Sequence, residues 1–309
     1  MSATASAGPL RLRVPATSAN LGPGFDTLAL ALAMYLEIEA ETAERDGIEA
    51  TGRNADLCGE VDGNLILATY RTLMEREGRT PLPLQMRMKN GIPLGMGCGS
   101  SAAARVAGVA LAAHFGTMGW SRTRIFEEAA RLEGHPDNAA SCVLGGFTVS
   151  GETAEKFVAS RIAPSEEWCA VMAIPPEPLA TSASRGVLPL EYTRADAVRN
   201  LQCVALLTAG FAQGDEALVR AGMRDWLHQP YRARVCPLLP LLLPLAEHPL
   251  VMGVALSGAG PSVLLMCQKK FADEVCGMVR QRAGESTEIA ITGLDSDGCE
   301  ASSYEIPLW

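Results

Sequence analysis

Residues Gly91 to Ala104 read GIPLGMGCGSSAAA. Glycine stands at 95, 97 and 99, two serines follow, and then alanines. Glycine reaches positive φ without a steric penalty, so alternating glycines let successive N–H groups turn toward one point and let a ligand come close. Ser100 and Ser101 are residue types that cap helices, and Ala102 to Phe115 is rich in helix formers. The pattern predicts a glycine loop opening a helix. Such a junction presents unpaired N–H groups and the positive end of the helix dipole, which suits a phosphate. The competing reading is a tight turn with no ligand. Two common phosphate loops are excluded: no lysine follows Gly99, and the sixth position counted from Gly95 is Ser100 rather than glycine.

Composition narrows the classes. A chain of 309 residues makes one large domain or two. It is 48% hydrophobic and 20% charged, ordinary for a globular protein with an ample core. A net charge of −9 without any basic run argues against nucleic acid and against anionic membrane as partners. An acidic chain that binds a phosphate must place its cations locally or bring a metal. Nine scattered cysteines, an odd number without a CxxC pair, read as reduced thiols in a cytoplasmic protein, with neither a disulfide framework nor a zinc site. Residues 1–8 are small and polar and are expected to be unstructured; they carry no apolar run of signal-peptide length. Val235 to Ala246 is apolar but carries Pro237, Pro240 and Pro244, so it is expected to form a buried, broken helical segment and not a membrane span.

Periodicity places strands at Leu10–Val14 and Leu28–Glu41, with a loop from Pro15 to Asp26 between them. Asn64–Glu77 is an amphipathic helix and Leu84–Lys89 a strand leading into the glycine loop. Ser121 caps a helix through Leu132, Gly134 and Pro136 end it, and a short helix runs from Asp137 to Leu144. A strand starts at Phe147–Ser150, and a boundary falls near residue 165, dividing the chain into 1–165 and 166–309. Beyond it, strands are expected at Cys169–Ile174, Val251–Leu256, Ser262–Cys267, Thr287–Ala290 and Ser302–Ile306. Helices are expected at Thr193–Ala212 and Lys270–Arg282. Strands and helices mix without a regular βαβ repeat, which makes the class α+β.

Three further segments hold chemistry. PATSANLGPGFD (15–26) has too many polar side chains for a plain strand connection: Asn20 offers a donor and an acceptor, and Asp26 offers an anion for a substrate ammonium. EGHPDN (133–138) packs two carboxylates, an imidazole and an amide into a helix break, where a capped turn is the simpler alternative. LSGAGPS (256–262) is a glycine turn between strands, readable as a mere hairpin.

The glycine-serine loop resembles the P-x-x-x-G-L-G-S-S-A loop of the GHMP kinases, with Cys98 where that family has Leu or Met. Together with PATSANLGPGFD, EGHPDN followed by LGGF, and LSGAGPS, in this order, the chain resembles the homoserine kinases from Leu10 to about Val263. Ala29 departs from the family's frequent glycine.

The resemblance implies a GHMP kinase fold, with an N-terminal domain like ribosomal protein S5 domain 2 and a C-terminal ferredoxin-like domain. It implies ATP-dependent phosphorylation of the L-homoserine hydroxyl, a step of threonine biosynthesis, with Mg²⁺ as cofactor. The chain would act alone or as a homodimer. By the same resemblance ATP would be held by Asn64, Pro93, Leu94, Gly95, Met96, Gly97, Cys98, Gly99, Ser100, Ser101, Ala102 and Ala103. Substrate would meet Asn20, Asp26, His135, Asn138, Arg185 and Arg232. Glu133, Asn138 and Thr181 would serve catalysis. Glu133 and Ser101 would hold Mg²⁺, with Glu127 and Glu128 as alternatives to Glu133. Chemistry agrees: homoserine is a zwitterion, so it needs guanidinium groups for its carboxylate and an anion for its ammonium. Asn138 is an amide and would orient the hydroxyl, whereas Asp137 would be either a base or a helix cap. A thiol at Cys98 beside a nucleotide would make the enzyme sensitive to thiol reagents. The rival readings are another small-alcohol kinase of the superfamily and a catalytically silent nucleotide-binding relative.

Overall fold

The computed structural model describes residues 7–303. The expectations for residues 1–6, and for 304–306 at the end of the last candidate strand, lie outside the described residues. β1 (Leu10–Asn20) and β2 (Gly24–Thr42) pair antiparallel along almost their whole length. The expected loop from Pro15 to Asp26 is therefore mostly strand, and only residues 21–23 turn. Composition misled here: Thr17 and Ser18 look like loop residues but are fully buried. Register shifts at Pro15/Ala16 and Ala19/Asn20 absorb the proline and end the pairing.

β3 (Gly47–Gly52) was not foreseen; it carries one large apolar residue in six and pairs parallel with β4 (Leu84–Asn90). The crossover holds α1 (Ala55–Cys58) and α2 (Leu65–Arg76). Asn64 caps α2, its Oδ1 accepting from Ile66 and Leu67 N–H at 3.1 and 3.3 Å, and Ile66, Tyr70, Leu73 and Met74 form the buried face. Next come α3 (Ser100–Phe115), α4 (Arg122–Glu133) and α5 (Asp137–Leu144). Ser121 caps α4, and Gly134, at φ 80°, ends it in the left-handed region. β5 (Phe147–Glu152) and β6 (Phe157–Ile162) complete a sheet ordered β3-β4-β2-β1, with β5 paired to β2 and β6 paired to β5.

The second half supplies β7 (Trp168–Ile174), α6 (Thr181–Gly186), α7 (Arg194–Gln213), α8 (Glu216–Gly222), α9 (Gln229–Arg232) and α10 (Leu238–Leu242). β8 (Val251–Leu256), β9 (Val263–Gln268), α11 (Ala272–Ala283), β10 (Glu288–Thr292) and β11 (Glu300–Ser303) follow. The second sheet is antiparallel in the order β10-β7-β9-β8. With helices after β7 and α11 after β9, this is the βαββαβ ferredoxin-like arrangement. α10 and the 3₁₀ turn after it are the expected proline-broken segment, and Leu239, Leu242 and Leu245 are buried.

β7 is buried at every position. Its side chains alternate between two cores: Trp168, Ala170 and Met172 join the cluster under the first sheet, while Cys169, Val171 and Ala173 pack toward α10 and α11. Phe147 stacks on Phe211 at 4.1 Å between centroids, so one core runs across both halves. β11 lies beyond the cut at residue 165 yet pairs antiparallel with β1 and joins the first sheet. No described helix is long and apolar enough to cross a membrane.

Candidate active site

A polar cavity of about 310 Å³ opens where the glycine loop, the β1–β2 turn, the α4–α5 corner, α6, α9 and the β8–β9 turn meet. Gly95, Gly97 and Gly99 sit at φ 71°, 75° and 71°, as the alternating glycines require. Ser100 and Ser101 do not cap α3: Gly99 is the cap residue and makes no side-chain bond, and both serines lie inside the first turn. The Ser101 hydroxyl instead donates to Glu133 Oε1 at 2.8 Å. The glycines are needed for packing as well as for any ligand. A Cβ on Gly97 would overlap the Ser257 and Gly260 carbonyl oxygens, and one on Gly99 would overlap the Thr17 side chain. LSGAGPS is thus a hairpin turn that also braces the loop: Ser257 Oγ donates to the Gly97 carbonyl at 2.7 Å.

A second, apolar cavity of about 450 Å³ adjoins the first and shares Gly95, Ser100 and Ser101 with it. Leu57, Cys58, Asn64, Ile66, Ile92 and Leu94 form its walls. Pro93, Met96, Cys98 and Ala103 line neither cavity, and Cys98 and Ala103 belong to the core.

Asn20, Asp26, Glu133, His135, Asn138, Thr181, Arg185 and Arg232 all line the polar cavity. Asn20 and Asp26 take left-handed φ values of 72° and 54°. They are locked together by the Asp26 N–H donating to Asn20 Oδ1 at 3.1 Å, while Asn20 Nδ2 donates to the Gly258 carbonyl at 2.8 Å. Arg185 grips Asp26 through both nitrogens, at 3.0 and 2.6 Å. That bidentate pair holds the Arg185 pKa above its usual value.

Arg232 is different. It is 1% exposed, and its guanidinium donates only to neutral acceptors: the Ser184 carbonyl at 3.4 Å, the Gly258 carbonyl at 3.2 Å and His228 Nδ1 at 3.2 Å. Among the described residues it makes no ion pair with a carboxylate. Burial, and then Arg185, pull its pKa down. Both guanidiniums lie over the Phe25 ring, Arg185 Cζ at 5.4 Å and Arg232 Cζ at 5.2 Å from its centroid.

Of the three candidate glutamates only Glu133 reaches the cavity, where Arg105 Nε stands 2.8 Å from Oε1. Glu128 is buried among Arg76, Arg124 and Arg131, and Glu127 lies beside Arg124. Asp137 Oδ1 accepts from His135 Nδ1 at 2.9 Å and from the Asn138 N–H at 2.7 Å, and it raises the His135 pKa. Pro136, not Asp137, is the cap residue of α5. With its Oδ1 engaged in this way, Asp137 anchors its neighbours. Asn138 Oδ1 in turn accepts from Thr17 Oγ1 at 2.6 Å.

The sequence reading missed Arg105, Phe25, Asp225 and His228. Arg105 lies one helical turn after Ser101 and Phe25 adjoins Asp26, which was the available signal for those two; Asp225 and His228 stand seven and four residues before Arg232, with no local signal. It also misjudged Cys98. Burial pushes that thiol up to about 12, so it is inert. Cys58 is half-buried and lines the apolar cavity. Maleimide labelling read by mass spectrometry is expected to leave Cys98 unmodified and to mark Cys58, with ATP slowing the reaction at Cys58. Modification of Cys98 in folded protein would contradict the burial.

A glycine loop opening a helix, a ferredoxin-like second half and a polar cavity between them define a GHMP kinase. The GHMP kinase N-terminal domain model matches residues 64–146 and the C-terminal model matches 207–285. The homoserine kinase of Solibacter usitatus is 42% identical over 271 residues, 87% of this chain and 88% of that protein. That of Desulfitobacterium hafniense is 38% identical over 294 residues, 94% and 98% of the two chains. The homoserine kinase structure from Cytophaga hutchinsonii superposes with a TM-score of 0.82 at 22% identity, covering 98% of this chain and 100% of that one. The chain belongs to the homoserine kinase family.

Proposed function

We infer that this protein transfers the γ-phosphoryl group of ATP to the side-chain hydroxyl of L-homoserine, giving ADP and O-phospho-L-homoserine. One observation carries the choice of substrate: Arg232 is a buried guanidinium without a carboxylate partner, in the same cavity as Asp26. A buried cation is costly unless an anion joins it. The substrate carboxylate completes it with Arg185 as second donor, and the ammonium lies against Asp26. The apolar cavity takes the nucleotide base, and the glycine loop between the cavities takes the phosphates on its N–H groups.

The oxygen donors fit Mg²⁺. Ser101 Oγ and Glu133 Oε1, 2.8 Å apart at the cavity wall, are the hard oxygen donors that would hold the ion. The described residues offer no cluster of three ligating side chains, so phosphates and water must complete the shell. When bound, the ion would neutralise charge on the transferring group. Asn138, steadied by Thr17 and Asp137, orients the acceptor hydroxyl, and Thr181 lines the same cavity. Phosphoryl transfer through a loose transition state needs positioning more than a base, so an amide suffices at position 138. Nine free thiols suit a cytoplasmic setting.

Arg185 tests the reading. Its loss removes one charge-assisted bond to the carboxylate, about 1.5–3 kcal/mol, or about 10- to 150-fold in kcat/KM. Side-chain exposure of 38% favours the lower end. At saturating Mg·ATP, Arg185→Ala is expected to slow homoserine by that factor and to penalise 3-amino-1-propanol, which lacks the carboxylate, far less. Equal slowing of both substrates would remove the arginine from carboxylate recognition.

A further inference from the structure

His228 is a fully buried imidazole that the phosphoryl transfer does not use. Asp225, whose side chain is also fully buried, holds it in place from the chain before α9. That carboxylate accepts from the N–H groups of Leu227, His228 and Gln229 at 2.9, 2.9 and 2.6 Å. The ring then bridges two pieces of the active site. Its Nε2 lies 2.7 Å from the Gly22 carbonyl, in the turn between Asn20 and Asp26. Its Nδ1 lies 3.2 Å from Arg232 Nη1. A carbonyl only accepts and a guanidinium only donates, so Nε2 must carry the hydrogen and Nδ1 the lone pair. One neutral tautomer satisfies both partners, whereas the imidazolium would aim an N–H at a cation. Burial lowers the His228 pKa in the same sense, against the opposing pull of Asp225, 3.5 Å from Nε2, and of Asp26. Phe25, which sits under both arginines, covers the ring at 5.4 Å.

We propose that His228 is a positioning residue for the amino-acid end of the substrate. Its neutral Nε2–H imidazole ties the turn that carries Asp26 to the guanidinium of Arg232, and so sets the spacing between the group that meets the ammonium and the group that meets the carboxylate. This rests on the reading in which Arg232 takes the carboxylate. His228 reaches no reacting atom, so its work is in binding and not in the transfer.

The test is a double-mutant cycle in homoserine KM and kcat, with Mg·ATP affinity measured by calorimetry as a control for folding. Removing a partner that orients a binding group costs about 10- to 100-fold in affinity. His228→Leu is expected to raise homoserine KM by that factor and to change kcat by less than about threefold, since only binding is lost. In an Arg232→Ala background the same substitution should add less than about twofold, because the two residues act as one unit. His228→Gln, with one acceptor and one donor, should recover most of the affinity.

If Arg232→Ala leaves KM unchanged, the carboxylate reading fails. If Arg232→Ala raises KM but His228→Leu does not, or His228→Leu keeps its full effect in the Arg232→Ala background, the positioning role fails. Long-range ¹H–¹⁵N spectra of the unaltered protein give a check that needs no variant. They should show His228 neutral and protonated on Nε2 at pH 7, and an imidazolium or an Nδ1–H tautomer would overturn the proposal.

Discussion

Arg232→Ala is expected to lower kcat/KM for L-homoserine by about 30- to 5,000-fold, the equivalent of the roughly 2–5 kcal/mol lost when one partner of a buried, hydrogen-bonded charge pair is truncated. The effect should exceed that of Arg185→Ala for a structural reason. Arg185 is partly exposed and already shares its charge with Asp26, whereas Arg232 is buried with neutral acceptors only. Arg232→Lys should rescue little. An ammonium cannot serve the Ser184 and Gly258 carbonyls, His228 and a carboxylate at once with the geometry of a planar fork. Nucleotide affinity should hold, because Arg232 lines the polar cavity and not the apolar one. Steady-state kinetics beside calorimetry with Mg·ATP separates these effects. A variant within threefold of the parent would remove Arg232 from substrate binding.

Glu133→Gln is expected to lower kcat by about 100- to 1,000-fold, the scale on which a single electrostatic stabiliser of a transferring group acts. The amide keeps the size of the side chain and can still accept from Ser101 Oγ, so the α4–α5 corner should stay in place. It loses the negative charge that offsets Arg105 and that, in the proposed reading, would attract Mg²⁺. The Mg²⁺ concentration for half-maximal rate should therefore rise. Glu128→Gln should leave that concentration alone, because Glu128 is enclosed by Arg76, Arg124 and Arg131 away from the cavity. Overlaying Mg²⁺ titrations for Glu133→Gln and the parent would mean that the carboxylate is not a ligand.

The elements the sequence announced best are those with punctuation at both ends. α5 begins after Pro136 and ends at Gly145-Gly146, and α4 starts on Ser121 and stops on Gly134. The candidate residues that line the polar cavity were legible for a related reason: most cluster in short polar runs beside glycine or proline, where a plain connection would not spend so many functional groups. What stayed hidden depends on contacts distant in sequence. Thr17 and Ser18 read as loop residues because nothing local says that helices will cover them. β11 reads as a final strand, but not as one that returns to β1. α6, which presents Thr181 and Arg185, is six residues long and has no apolar period to detect. His228 looked like one of four scattered histidines, and only the fold brings Gly22 and Arg232 to its two nitrogens.

The most direct measurement is ADP release by the unaltered protein with Mg·ATP, with and without L-homoserine, and with the phosphorylated product identified by ³¹P NMR. Phosphoryl transfer to homoserine predicts ADP formation that depends on L-homoserine and matches O-phospho-L-homoserine mole for mole. 3-Amino-1-propanol, lacking the carboxylate that Arg185 and Arg232 are proposed to bind, should react poorly. ADP released at the same rate without homoserine, or just as fast with the amino alcohol, would contradict it.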